Sequence, residues 1–256
     1  MRILLTNDDG IHAPGLESLE KIAAELSDDI WTVAPETDQS GLSHSLSLND
    51  PLRLREISDR KFAVRGTPTD CVIMAMRRLL VDHRPDLVLS GVNSGQNAAD
   101  DVTYSGTVAA AIEGTLLGVP SIALSQASSF QHGMREMHWE TAEKYGADIV
   151  RKLVDFGFPP GILYNINFPN RPAAEVEGVT VTTQGRLTHG LHIDERTDGR
   201  GNQYFWLAYR RESPDIKPGT DLDAMKKGEV SVTPLRLDLT AYDLTESLGG
   251  HFGGGA

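Results

Sequence analysis

A strand-length apolar run that ends in two adjacent carboxylates constrains this chain more than any other feature. Arg2-Ile3-Leu4-Leu5 is followed by Thr6-Asn7-Asp8-Asp9-Gly10, residues that favour turns and tolerate unusual backbone angles. From Pro14 a helical period takes over, with Leu16, Leu19, Ile22, Ala23 and Leu26 on one face. The unit reads strand, acidic loop, helix. In open α/β sheets ligands bind outside the carboxyl ends of the strands, so Asp8 and Asp9 are well placed for chemistry.

The pattern repeats. Residues 30–35 read as a second strand, completing a βαβ unit whose right-handed crossover sets both carboxyl ends on one edge. A polar loop at 36–41 leads to alternating residues at 42–48, which suggest extended structure. Residues 51–56 read as a hairpin arm and 62–64 as a short strand. Thr69 or Asp70 is placed to cap a helix carrying Val72, Ile73, Met76, Leu79 and Leu80. Residues 86–91 form a dense apolar strand of the kind buried on both faces of a parallel sheet. A polar loop at 92–97 continues to Gly106. A small-residue helix follows, then strands at 121–125 and 162–169. Between these lies an amphipathic helix, 138–156, which Gly157 can end as a left-handed cap.

Beyond Gly178 the character changes. Strands are expected at 179–183, 203–210 and 229–235, with a charged hairpin or arm at 194–202 and few helices. The expected division is a core at 1–180 and a β-rich extension at 181–256, with a role in oligomer contacts. The tail from Gly249, GGHFGGGA, has five glycines and is expected to be disordered. The fold class is α/β: a Rossmann-like, mostly parallel sheet flanked by helices, with that smaller extension.

Charge narrows the partners. The 256 residues carry 36 acidic against 24 basic side chains, a net charge of −12. That argues against binding nucleic-acid polymers or anionic membranes, yet leaves room for a phosphorylated small molecule beside a metal. Cys71 is the single cysteine, so no internal disulfide forms, which fits a reducing compartment. With no basic-then-apolar leader and no long apolar run, a cytoplasmic location is expected.

Four polar groups converge by topology: Asp8 and Asp9 after the first strand, Ser40 after the second, Asn93 after the 87–89 strand. The set is all oxygen, which hard cations such as Mg²⁺, Mn²⁺ or Ca²⁺ prefer, whereas zinc usually brings His or Cys. Ser105, Gly106 and Thr107 open a helix, where unpaired N–H groups attract anions. Each residue also has an ordinary structural role. Asn-Asp-Asp-Gly alone is a turn and helix start; Ser40 is a loop residue; Asn93 suits a turn; Ser105-Gly106-Thr107 suits an N-cap. Cys71 reads as a small core residue, and His12, His44 and His138 as surface or packing residues. Convergence of several loops on one rim favours the chemical reading.

The stretches MRILLTNDDGIHAPGL, DQSGLSHSLSL, GTPTDC, DLVLSGVNSGQN and YSGTVAAAIEG, with the later GTD at Gly219–Asp221 and GEVSVTPL from Gly228, resemble the blocks of the SurE survival-protein family, in order from Met1 to about Tyr242. The resemblance implies a metal-dependent 5′(3′)-nucleotidase, some members of which also cleave short polyphosphate. It places the metal ligands on Asp8, Asp9, Ser40 and Asn93. It also implies dimers or tetramers that exchange elements. Residues 194–202 and the glycine tail carry no such match.

The expected reaction is hydrolysis of a nucleoside monophosphate with one divalent cation, Mg²⁺ or Mn²⁺. Asp8 and Asp9 hold the cation, and one also orients or deprotonates the attacking water. Asn93, Asn97, Ser105, Gly106 and Thr107 hold the substrate. Asp8 attacking phosphorus directly is the alternative mechanism. The rival functions are a non-catalytic nucleotide or metal sensor on the same rim and a dinucleotide oxidoreductase; the missing G-x-G-x-x-G counts against the latter.

Overall fold

The computed structural model describes residues 1–131, 134–187, 191–209 and 216–253. β1 (Arg2–Thr6) leads through α1 (Pro14–Ala24) to β2 (Asp29–Pro35). β3 (Arg53–Ser58) and β4 (Lys61–Arg65) form a hairpin, and α2 (Pro68–Met74) runs on into a π turn at Ala75–Leu79. β5 (Leu87–Ser94), a short 3₁₀ turn at Ala99–Thr103, α3 (Gly106–Leu116) and β6 (Ser121–Gln126) follow. β7 (Ser128–Gln131) and β8 (Met134–Met137) pair as a small separate hairpin before α4 (Trp139–Phe156) and β9 (Ile162–Phe168). Then come β10 (Gly178–Val181), the hairpin of β11 (Leu191–Thr197) and β12 (Gln203–Tyr209), α5 (Asp221–Lys227), β13 (Glu229–Arg236) and α6 (Tyr242–Gly253).

Among the described residues nine strands make one sheet, in the order β10-β13-β9-β6-β5-β1-β2-β4-β3. From β9 across to β4 every neighbouring pair is parallel, while β3 and β13 join antiparallel. The chain starts in the middle at β1, runs outward through β2 to β4, and then returns to the other side of β1 for β5, β6 and β9. The strand order therefore reverses between β1 and β5. Their carboxyl ends diverge there into a crevice, the usual ligand position of a doubly wound sheet.

The pleat splits β1 between two cores. Ile3 and Leu5 pack with Leu16, Leu19 and Ile22 of α1 and Ala142 and Val150 of α4. Leu4 points the other way, to Cys71 and Val72 of α2 and Ala110 of α3. Both faces are covered, so the central strands have no polar face: β6 is buried at every position. The edge strand β3 instead shows exposed Arg53, Arg55 and Glu56. Each fully buried Leu or Ile contributes about 1.5–3 kcal/mol, which makes this double core the main support of the rim.

Several expectations change. Residues 42–48 form no strand: they lie outside every ladder, held by polar contacts such as Thr67 Oγ1 to the Ser45 carbonyl at 2.8 Å. The cap of α2 is Thr67, not Thr69 or Asp70; Asp70 completes a reciprocal capping box from the third helical position. β5 continues to Ser94, so Asn93 belongs to the strand and not to the loop after it. Gly157 ends α4 with φ 93° but ψ 173°, a positive-φ conformation outside the left-handed helical region expected of the cap. The charged stretch at 194–202 lies within a longer hairpin, β11 to β12; Arg210, in the predicted strand, is outside the described residues. From the extension, β13 enters the main sheet between β9 and β10. The glycine-rich end is helical through Gly253, with residues 254–256 outside the described set. Leu244, Leu248 and Phe252 lie four apart and form a stripe, a periodicity the glycines conceal.

Candidate active site

The loop after β1 is tied down before any ligand is considered. Asn7 Nδ2 donates to the Gly10 carbonyl at 2.9 Å, and Gly10 takes φ 104°. The Asp8 carbonyl accepts the Gln39 N–H at 2.8 Å, so the loops after β1 and β2 are clasped together. The Asp8 side chain is 4% exposed and accepts a hydrogen bond from the Thr107 hydroxyl in the first turn of α3. Gly106 makes that approach feasible: a Cβ there would sit 2.8 Å from Asp8 Cβ and 2.9 Å from Oδ2. Ser105 caps α3, its Oγ accepting the Val108 N–H at 3.0 Å.

Asp9 faces β5. Its Oδ2 accepts the Ser94 N–H at 2.9 Å. The neighbouring Asn93 gives its amide N–H to the Gly95 carbonyl at 2.8 Å. Ser40 donates through both N and Oγ to Asp38 Oδ1, at 2.8 and 2.6 Å. Asn97 is held by its backbone: its N–H goes to Asn167 Oδ1 at 2.8 Å, and its carbonyl accepts Asn165 Nδ2 at 2.7 Å. Its own Nδ2 donates to Ser125 Oγ at 2.9 Å. A cleft of about 620 Å³ opens over these groups, lined by Ser40, Asn93, Asn97, Asp101, Ser105 and Arg135 among others.

The electrostatics are those of a crowded acidic pair. Burial, and then the charge of Asp9, push the Asp8 carboxyl up to about 7, against the pull of the Thr107 hydrogen bond. Asp9 is raised too, by burial first, while the Ser94 N–H and the Arg135 cation pull it down and Asp38 pushes it up. Two adjacent carboxyls that burial drives toward the neutral form, at the rim whose cleft Ser40 and Asn93 line, have the oxygen-donor chemistry of a site for a hard divalent cation. Ionised, they would repel one another without such a charge between them.

Of the residues singled out in the sequence, Ser40, Asn93, Asn97 and Ser105 line the one cleft. Asp8 lies beneath it against Gly106 and Thr107, and Asp9 is joined to its wall through Ser94. The Thr107 hydroxyl is spent on Asp8 and is fully buried, so its contribution to a bound anion is the helix turn it belongs to. Sequence reasoning passes over Asp38, which orients Ser40, and Arg135 on β8, the cation beside Asp9. It also passes over Asn165 and Asn167, although polar residues at alternate positions of the apolar strand β9 are a usable signal.

Comparison with known proteins comes to the same fold and family. The sequence model of one family, Survival protein SurE, matches residues 3–190. The chain is 61% identical over 241 residues to the 5′-nucleotidase SurE of Azorhizobium caulinodans, covering 94% of each chain. It is 59% identical over 253 residues to the 5′-nucleotidase SurE of Brucella anthropi, covering 99% of this chain and 98% of the other. The crystal structure of the SurE protein from Aquifex aeolicus superposes with a TM-score of 0.84 at 38% identity, covering 98% of this chain and all of that one.

Proposed function

The chain belongs to the Survival protein SurE family, and from that premise we propose that it is a 5′-nucleotidase, which hydrolyses nucleoside monophosphates to nucleoside and phosphate. The observation that carries the reading is the Asp8–Asp9 pair at the topological switch of the sheet, Asp8 against the start of α3 and Asp9 against the end of β5.

Asp8, Asp9, Ser40 and Asn93 would hold one divalent cation, Mg²⁺ or Mn²⁺. When bound, such an ion supplies charge neutralisation at the phosphoryl oxygens. The chain's own residues do the rest. The open N–H groups at the first turn of α3, residues 105–107, receive the non-bridging phosphate oxygens. Asn93 and Asn97 orient the ester from the β5 side. Asp9, more open than the 4%-exposed Asp8, orients the attacking water and takes its proton. Water oxygen bonds to phosphorus, the ester P–O bond breaks, the nucleoside oxygen takes a proton from solvent, and Asp9 returns the proton it took to solvent. The same site accepts 3′-monophosphates and short polyphosphate, whose terminal group is alike.

Our reading extends to assembly. Residues 1–180, with β13 completing their sheet, form the catalytic core, and the rest of 181–256 an arm that makes a homodimer or homotetramer. Ile193, Phe205, Trp206 and Leu207 of the β11–β12 hairpin are exposed and apolar, which supports a subunit contact. No helix among the described residues is long and apolar enough to cross a membrane, and we place the protein in the cytoplasm.

The test is phosphate release from a panel of nucleoside monophosphates with and without Mg²⁺ or Mn²⁺. Metal-stimulated release supports the proposal. Saturable nucleotide binding without release makes the protein a sensor and removes the catalytic reading.

A further inference from the structure

We propose that Arg135 is the phosphate clamp of this site: its guanidinium leaves the rim of the cleft to grip two non-bridging oxygens of a terminal phosphomonoester. This deepens the nucleotidase reading and rests on it.

Charge points to the need. A phosphate monoester at neutral pH carries about −1.5 to −2. Asp8 and Asp9 offset the charge of a divalent cation, so the substrate's own charge requires another partner. Among the described residues lining the cleft, Arg135 is the only one with a cationic side chain. The lining also contains the acidic Asp101, and Asp38 stands near Asp8 and Asp9.

Geometry points to the same residue. Arg135 Nη2 donates to the Ser94 carbonyl, and Nε donates to Ser128 Oγ at 3.1 Å. The Ser94 N–H meanwhile binds Asp9. One residue, Ser94, thus links the guanidinium to the carboxylate, close enough that Arg135 pulls Asp9 downward. The space it occupies is made by Gly95, at φ 127°, where a Cβ would stand 2.9 Å from Arg135 Nη2. The residue sits on the β7–β8 hairpin, which is outside the main sheet and pairs only with itself among the described strands. The partners Arg135 holds are a neutral carbonyl and a hydroxyl. A phosphate dianion is the stronger partner, because charge-assisted and bidentate bonds exceed neutral ones and suit the planar fork.

The experiment uses the full chain loaded with Mn²⁺. In R135A, KM for a nucleoside monophosphate rises about 10- to 100-fold while kcat changes less than threefold. Inorganic phosphate loses its inhibition and its stabilisation of the folded protein in thermal unfolding, read without turnover. R135K recovers part of the loss, since it restores charge but not the fork. If KM, phosphate inhibition and phosphate-induced stabilisation all stay at wild-type values, or if only the unfolding temperature falls, the clamp is wrong. A wild-type protein that releases no phosphate from any monophosphate overturns the nucleotidase reading instead, and phosphate binding to R135A still decides the clamp.

Discussion

Two parts of this molecule treat their side chains in opposite ways. At the rim between β1 and β5 the chain buries charge and satisfies it. Asp8 is 4% exposed yet bonded to Thr107, and Asp9 to the Ser94 N–H. On the β11–β12 hairpin and α6 it exposes apolar groups and leaves them uncovered: Trp206 is 61% exposed, Leu207 76% and Phe252 82%. No residue of α6 is buried. Burying a carboxylate is costly even with one hydrogen bond, and burial pushes both carboxyls up toward the neutral form. Exposing a large apolar stripe is costly in water, which supports the proposed subunit contact. We read the first region as the place of a small charged ligand and the second as the place of a subunit contact.

The two are linked through the residues at the base of the arm. Gln184 donates to the Ala99 carbonyl at 2.8 Å, and Asp221 accepts the N–H groups of Ala99 and Gly185 at 2.8 and 2.9 Å. The base of the arm therefore holds the loop that carries Asn97 and Asp101.

Four experiments break or sharpen this contrast. D8N or D9N, saturated with Mn²⁺, is expected to lose on the order of 10²-fold or more in kcat/KM with subunit assembly intact in sedimentation. Full activity in both would dissolve the rim as a catalytic centre. Gly106→Ala places a methyl group against Asp8 and is expected to lose on the order of 10-fold in activity, measured as initial rate against metal concentration. The double substitution W206S and L207S acts in reverse: the assembly shifts toward smaller species by light scattering, while kcat per chain stays within about threefold. The fourth effect is on metal-free stability. Asp8 titrates near 7 in the folded chain against 3.8 as the ordinary value, so the folded state holds this proton longer than the unfolded one. Its contribution is therefore fully present below 3.8 and is lost as pH rises toward 7. The melting temperature of metal-free protein should fall across that window relative to D8N, and added Mn²⁺ should raise the wild-type melting temperature more than that of D8N.

Much of the rim was legible. A continuous apolar run must be a buried strand, and its polar end must lie at the sheet edge, which locates Asp8 and Asp9. The same logic finds Ser40 but misplaces Asn93, because Gly91 and Asn93 look like a turn while the backbone of β5 continues to Ser94 in the ladder. Residues 42–48 alternate like a strand yet join no ladder and are held instead by side-chain contacts such as that of Thr67 with the Ser45 carbonyl. Thr67 caps α2 because Pro68 fills the first helical position, a signal lost when the cap is sought nearer the apolar face. Arg135 had no local signal at all: its meaning lies in Ser94, Gly95 and Asp9, all far away in the chain.

What the amino-acid order determined by itself is the set of apolar periods, and with them the alternation of strands and helices and the edge on which the acidic loop emerges. Those follow from short-range geometry, since a period of two or of 3.6 residues decides which side chains share a face. What only the tertiary structure decided is which distant groups meet: α3 against Asp8, β8 against Ser94, β13 inside the main sheet. Such meetings depend on crossover order and close packing, which no local pattern records.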